Sequence, residues 1–158
     1  MRTLPLLLLF GPLVTAPCLT AQSTRTVTAT DSIDALTVFR ENIDAIHKRD
    51  RPRYLATYLQ TERFTRHGLR GVEMGWEGWS ARTQVGGWPD TLIAREMTVR
   101  PIAPGVVYGW YRYIGVNGGV ASTGISMRTF VRTPQGMRIA LTASWPDTLP
   151  PPPEFRKK

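Results

Sequence analysis

Gly136-Met-Arg-Ile-Ala-Leu-Thr-Ala-Ser144 decides the fold class. Met137, Ile139, Leu141 and Ala143 alternate with Arg138, Ala140, Thr142 and Ser144. A period of two puts the sets on opposite faces of a β-strand. Three more strands precede it. Leu92 to Arg100 ends at Pro101 and the Pro104-Gly105 turn. Val106 to Gly115 passes through Asn117-Gly118, two residues that tolerate positive φ, into Val120 to Arg132. Pro134-Gln-Gly136 makes the last turn. In the second strand, Val106, Tyr108, Trp110, Arg112 and Ile114 share one face, and Val107, Tyr111 and Tyr113 the other. In the third, Ile125, Met127, Thr129 and Val131 oppose Ser126, Arg128, Phe130 and Arg132. Strands apolar or aromatic on both faces belong mid-sheet.

Helices come before these strands. Ile33, Leu36, Phe39, Ile43 and Ile46 recur at helical steps, with Asp31 or Ser32 as the N-cap, and the helix stops near Arg49. Asp50 caps a second helix that carries Pro52 in its first turn, with Tyr54, Leu55, Tyr58 and Leu59 as its stripe. Glu62 to His67 reads as a short extended piece ended by Gly68. Gly71 to Gln84 reads as a third helix with Val72, Trp76 and Trp79 in line, weakened by Gly75 and Gly78. Gly86-Gly-Trp-Pro-Asp90 is a loop. Helices first and an antiparallel sheet second make an α+β chain.

The chain has 158 residues, which fits one domain. Residues 1–21 read as a secretory signal peptide. A basic start and an apolar Leu4 to Val14 are followed by Leu19-Thr-Ala21, with cleavage expected after Ala21. That apolar run is shorter than the roughly 20 residues that span a bilayer, so no stable membrane anchor is expected after cleavage. The sole cysteine, Cys18, follows Pro17, where a lipoprotein signal carries a small residue, and it is expected to be lost with the signal. Residues 22–30 form a polar leader, 31–145 the domain, and 146–158 an extended, proline-rich, exposed tail. The expected location is outside the bacterial cytoplasm, either periplasmic or secreted. The net charge of +8 is scattered, with no run of five like charges. Export argues against nucleic acid as the partner.

This order resembles the nuclear transport factor 2-like superfamily, in particular its SnoaL-like branch. Three stretches carry the likeness. They are Phe39-Arg-Glu-Asn-Ile-Asp-Ala-Ile-His-Lys-Arg-Asp50 followed by Tyr54-Leu-Ala-Thr-Tyr-Leu59, then Glu62-Arg-Phe-Thr-Arg-His-Gly68 leading into Gly71-Val-Glu-Met-Gly-Trp76, and last Gly136-Met-Arg-Ile139. The resemblance covers about Asp31 to Ser144. It implies a cone-shaped, strongly curved antiparallel sheet wrapped around a long N-terminal helix, with a pocket at the open end. It also implies a homodimer through the outer sheet face as an option. Members use the pocket for chemistry or only for binding, so the fold leaves both open. Against the ketosteroid isomerases of this superfamily, the tyrosine position falls near Asn42, the base position at Arg66 or His67, and the later acid near Met127 or Arg128. None matches, which argues against that reaction.

Two functions follow. One is an exported module that binds a small, partly apolar ligand, with an anionic group as an option. The expected lining residues are Asn42, Tyr58, Trp79, Trp110, Arg112 and Arg128. Arg112 and Arg128 point either into the cone, where a guanidinium fork would hold an anion, or outward. The other function is a lyase- or isomerase-like enzyme with His67 as general base, since a pKa of about 6.5 suits proton transfer. A surface histidine without catalytic duty is the alternative. His47, at the end of the first helix, suits a dipole-stabilising cap. The two histidines lack the partners of a metal site, and no cofactor is expected.

Overall fold

The structure, a computed structural model, describes residues 29–68, 71–85, 87–148 and 150–155. The expected signal peptide and most of the leader lie outside them. Two helices open the described chain, α1 (Ala29–His47) and α2 (Arg51–Ala56). A hairpin of β1 (Thr65–Gly68) and β2 (Gly71–Met74) follows, then α3 (Trp76–Val85). Four long strands complete the fold: β3 (Thr91–Ala103), β4 (Val106–Asn117), β5 (Val120–Thr133) and β6 (Gly136–Pro146). They form one curved, unclosed sheet in the order β2-β1-β6-β5-β4-β3, with α1 packed against β3, β4 and β6.

All neighbouring strands pair antiparallel except β1 and β6. That parallel pairing departs from a purely antiparallel sheet. After α2 the chain already runs alongside the last strand. Leu59 N–H donates to the Ile139 carbonyl at 2.8 Å, and Ile139 N–H to the Thr57 carbonyl at 3.0 Å. The same direction carries on into β1, where Thr65 sits beside Leu141.

The third helix is shorter than its apolar spacing suggests. Gly71–Met74 is a strand, paired from Thr65↔Met74 to Gly68↔Gly71. Val72 and Met74 are exposed there. Gly75 adopts φ +84°. This left-handed geometry, which glycine takes without strain, separates strand from helix. Its N–H donates to the Phe64 carbonyl at 2.8 Å.

The buried face of α1 is Asp31, Ala35, Phe39, Asn42 and Ala45. Ile33, expected on the core stripe, is 61% exposed. Asp31 is no N-cap either, because the helix begins at Ala29. Its carboxylate instead accepts from Arg132 Nε at 2.8 Å, Arg132 Nη2 at 2.7 Å and Gly105 N–H at 3.0 Å. Two alanines let the helix approach the sheet closely, and two polar side chains meet arginines on it. A rule that counts apolar residues misses such a face. For α2 the expected cap holds, since Asp50 accepts from Arg53 N–H at 3.1 Å, but the helix ends at Ala56, so Tyr58 and Leu59 of its expected stripe lie beyond it.

Strand faces follow the alternation, with one reversal. Val107 and Tyr111 of β4 are buried, as are Ser126, Arg128 and Phe130 of β5. These are the concave face. Along β6, Ile139 sits opposite Phe130 and Leu141 opposite Thr129, so Ala140 is an extra residue in a bulge. Before it Met137 and Ile139 face inward. After it Thr142 and Ser144 do, as partners of Arg128 and Ser126. A further register shift lies between Arg95 and Thr98 of β3. Bulges add bend and twist, which curl the sheet over α1.

The tail from 146 is less free than its prolines suggest. Pro146 is still in β6, Asp147 N–H donates to the Thr123 carbonyl at 3.1 Å, and Pro153–Phe155 forms a 3-10 turn. Among the described residues no helix is long and apolar enough to cross a membrane.

Candidate functional site

A cavity of about 550 Å³ opens where the long strands end and α2 and α3 approach β6. Such a volume suits a small organic molecule. Its walls are aromatic: Tyr54 from α2, Trp79 from α3, Trp88 from the following loop and Tyr113 from β4. Tyr54 meets Trp88 edge-on at 5.4 Å between centroids. Trp79 is buried against Tyr58 at 4.7 Å and Phe64 at 4.9 Å, which fixes α3 over the sheet. Tyr113 lies over Gly124, its register partner on β5, where a β-carbon would fall 2.3 Å from the ring. Any side chain at 124 would push Tyr113 out of its place in the wall.

Charge sits at the rim. Arg51 lies 5.1 Å from the Trp88 ring centre, a cation–π distance, and donates to the Thr83 carbonyl. Arg66 and Glu73 face each other across the β1–β2 hairpin, with Arg66 Nη1 3.4 Å from Glu73 Oε2. Two guanidinium groups and one carboxylate therefore border the cavity.

Deeper in the cone is a polar network. Arg128 is buried on the inner face of β5. Its Nη1 donates to Asn42 Oδ1 at 2.7 Å and its Nη2 to the Tyr111 hydroxyl at 2.9 Å. Asn42 Nδ2 donates to Thr57 Oγ1 at 2.7 Å, and Thr57 in turn donates to the Tyr54 carbonyl at 2.7 Å. Tyr58 O–H donates to the Tyr54 hydroxyl at 2.8 Å. Burial pushes the Tyr54 phenol well above its ordinary pKa, Tyr58 adds to this, and the Arg128 charge opposes it. Tyr54 therefore stays a neutral phenol. Burial also raises the Tyr113 phenol, with Tyr111 adding to it. For Arg128, desolvation acts downward, but Tyr111, Tyr58 and Tyr54 outweigh it, so its pKa lies above the ordinary arginine value and it stays a cation.

Of the expected site residues, Trp79 lines the cavity, and Asn42, Tyr58 and Arg128 lie buried beside one another in the network behind it. Three lie elsewhere. His67 is exposed and outside the cavity, because Arg66, its neighbour on β1, takes the inward position. His67, expected as a candidate base, is thus placed away from the cavity. Trp110 and Arg112 belong to the outer face of β4, where Arg112 Nε pairs with Asp147 Oδ2 at 3.2 Å. Neither borders the cavity. His47 donates from Nε2 to the Leu92 carbonyl at 2.6 Å, tying α1 to β3. Tyr54, Trp88, Tyr113, Arg51 and Arg66 are the lining residues that alternation and spacing do not single out. The Gly68…Gly71 spacing was a signal for the hairpin that sets Arg66 against Glu73. Among the described residues no group of three His, Cys, Asp or Glu side chains converges on a metal position. Among the described residues Glu73 is the one carboxylate lining the cavity, and it is paired with Arg66.

No family model matches this sequence, and no curated protein matches it. Solved structures do. A nuclear transport factor 2-like protein of unknown function from Shewanella oneidensis superposes with a TM-score of 0.62 at 14% identity, covering 72% of this chain and 97% of that one. A cystatin-like fold protein from Burkholderia xenovorans gives 0.67 at 17% identity over 78% and 96%. A Streptomyces avermitilis protein, provisionally described as a dehydratase of the same family, gives 0.63 at 12% identity over 76% and 98%. The chain has the nuclear transport factor 2-like fold.

Proposed function

We propose that this chain is an exported, SnoaL-like binding protein that holds a small, partly apolar ligand in the cone. The observation that carries this reading is the aromatic cavity of about 550 Å³ walled by Tyr54, Trp79, Trp88 and Tyr113. The aromatic walls suit an apolar body, and Arg51 and Arg66 favour a negative group on it. Binding is preferred over catalysis because proton transfer needs a base within reach of substrate. His67 is not at the cavity, and Glu73 is engaged by Arg66. Cleavage after Ala21 and pairing of two copies through the outer sheet face belong to the same proposal.

Native mass spectrometry of the protein purified from its own cell envelope tests it. The expected result is an added small mass that disappears in Trp79→Ala, a change that removes one cavity wall. A bare chain from the envelope, or an adduct indifferent to Trp79→Ala, overturns it.

A further inference from the structure

Arg128 is 4% exposed, yet among the described residues it has no carboxylate within salt-bridge reach. Its two hydrogen bonds, to Asn42 and Tyr111, use two of five guanidinium N–H donors. Its Nε–H has no acceptor, and it is the one buried side-chain nitrogen or oxygen among the described residues in that state. The rings of Tyr111 and Phe39 lie 5.3 and 5.7 Å from the guanidinium carbon and supply only cation–π attraction. Tyr54 stays protonated, so it offers no counter-charge. A desolvated cation without a counter-ion is costly to the fold.

The surroundings show what could neutralise it. Ser144 borders the cavity and is the register partner of Ser126. Ser126 and Arg128 share the inner face of β5, and Thr142 is the register partner of Arg128. The inner sheet surface thus carries hydroxyl side chains from the cavity wall toward the guanidinium, while the facing walls are aromatic. Hydrogen bonds through Asn42 and Thr57 also link Arg128 to Tyr54, a cavity wall.

We infer that the ligand is a carboxylic acid with an apolar, aromatic-sized body, and that its carboxylate is neutralised by Arg128 while the body fills the cavity. This rests on the ligand-binding reading above. One fixed cation calls for one negative charge. Arg51 and Arg66 at the rim attract the anion during entry.

Isothermal titration with 2-naphthoate and its neutral isostere 2-naphthamide, at pH 7, tests the inference. The naphthoate should bind at least about tenfold tighter, the factor expected for one charged hydrogen-bonded contact. In Arg128→Met the preference should vanish, with both probes binding at the amide's level. In Arg128→Lys part of it should return. Circular dichroism checks that each variant is folded. If Arg128→Met does not fold, Tyr111→Phe must shrink the preference. Equal affinity of the two probes for the wild-type chain overturns the inference and leaves the cavity reading standing. So does a preference that survives Arg128→Met and is lost in Arg66→Met. If neither probe binds, the cavity reading falls and the inference falls with it.

Discussion

Two arginines four residues apart on β5 face the same way and meet opposite surroundings. Arg132, near the Pro104-Gly105 turn, is satisfied. It donates to Asp31 from Nε and Nη2, and Nη2 reaches Asp34 Oδ2 at 2.6 Å. Hydrogen bonds from Asp34 and Asp31 hold its pKa above the ordinary arginine value. Arg128, two same-face positions away beyond Phe130, has an amide, a phenol and two ring faces and, among the described residues, no carboxylate. The first arginine ties α1 to the sheet. The second is a charge without a counter-ion among the described residues. Buried ion pairs are weak arguments for stability, but a buried lone ion is an argument for a use elsewhere.

Breaking the satisfied pair gives the largest expected effect. Arg132→Met removes two guanidinium hydrogen bonds from the buried Asp31 carboxylate. It should lower the unfolding free energy by about 3 kcal/mol, read by urea denaturation. Asn42→Ala should cost about 2 kcal/mol, because it removes one of Arg128's two hydrogen-bond partners and the donor to Thr57 Oγ1. Arg128→Met should cost no more than about 1 kcal/mol in the same assay, or stabilise, since an apolar side chain of similar length replaces an uncompensated ion. A loss as large as that of Arg132→Met would erase the contrast between the two sites.

The outer face sharpens the comparison at the small end. Arg112→Ala should change stability by under about 0.5 kcal/mol and leave naphthoate binding unaltered, because its partly exposed pair with Asp147 lies across the sheet from the cavity. The smallest effect is acid-linked. Hydrogen bonds from Lys48 and then Arg53 hold the exposed Asp44 carboxyl below its ordinary pKa. Its contribution is therefore present above about pH 4 and fades as the pH falls through the lowered value. Lys48→Ala should lower stability slightly across the neutral region, flatten the acid limb of a pH–stability curve, and leave the strongly acid end unchanged. Arg132 adds no slope there. A raised arginine pKa keeps its contribution until the pH climbs past the alkaline end.

Much of the fold was legible from local rules. Period-two alternation marked four strands, and Asp50 with Pro52 marked the start of α2. The hairpin between β4 and β5 was legible too, although its two turn residues are Gly118 and Gly119, at φ +56° and +73°, one place beyond Asn117-Gly118. The face of α1 was misread because its buried set includes Asp31 and Asn42. Only their arginine partners, 86 and 101 residues away along the chain, explain them. The Gly71–Met74 strand was misread because Val72, Trp76 and Trp79 mimic a helical stripe that Gly75 interrupts.

The candidate site divides the same way. Trp79, Tyr58, Asn42 and Arg128 could be picked from their types and places. The inward turn of Arg66 rather than His67, the outward turn of Trp110 and Arg112, and the walls formed by Tyr54, Trp88 and Tyr113 could not. By itself the sequence determined where strands and helices lie, because backbone preference and hydrophobic period act over a few neighbouring residues. Only the tertiary structure decided which side chains share the cavity and which buried arginine meets an amide and a phenol and which meets acids. A bulge at Ala140, a parallel pairing of β1 with β6 and contacts across a hundred residues set those neighbours, and no local pattern encodes them.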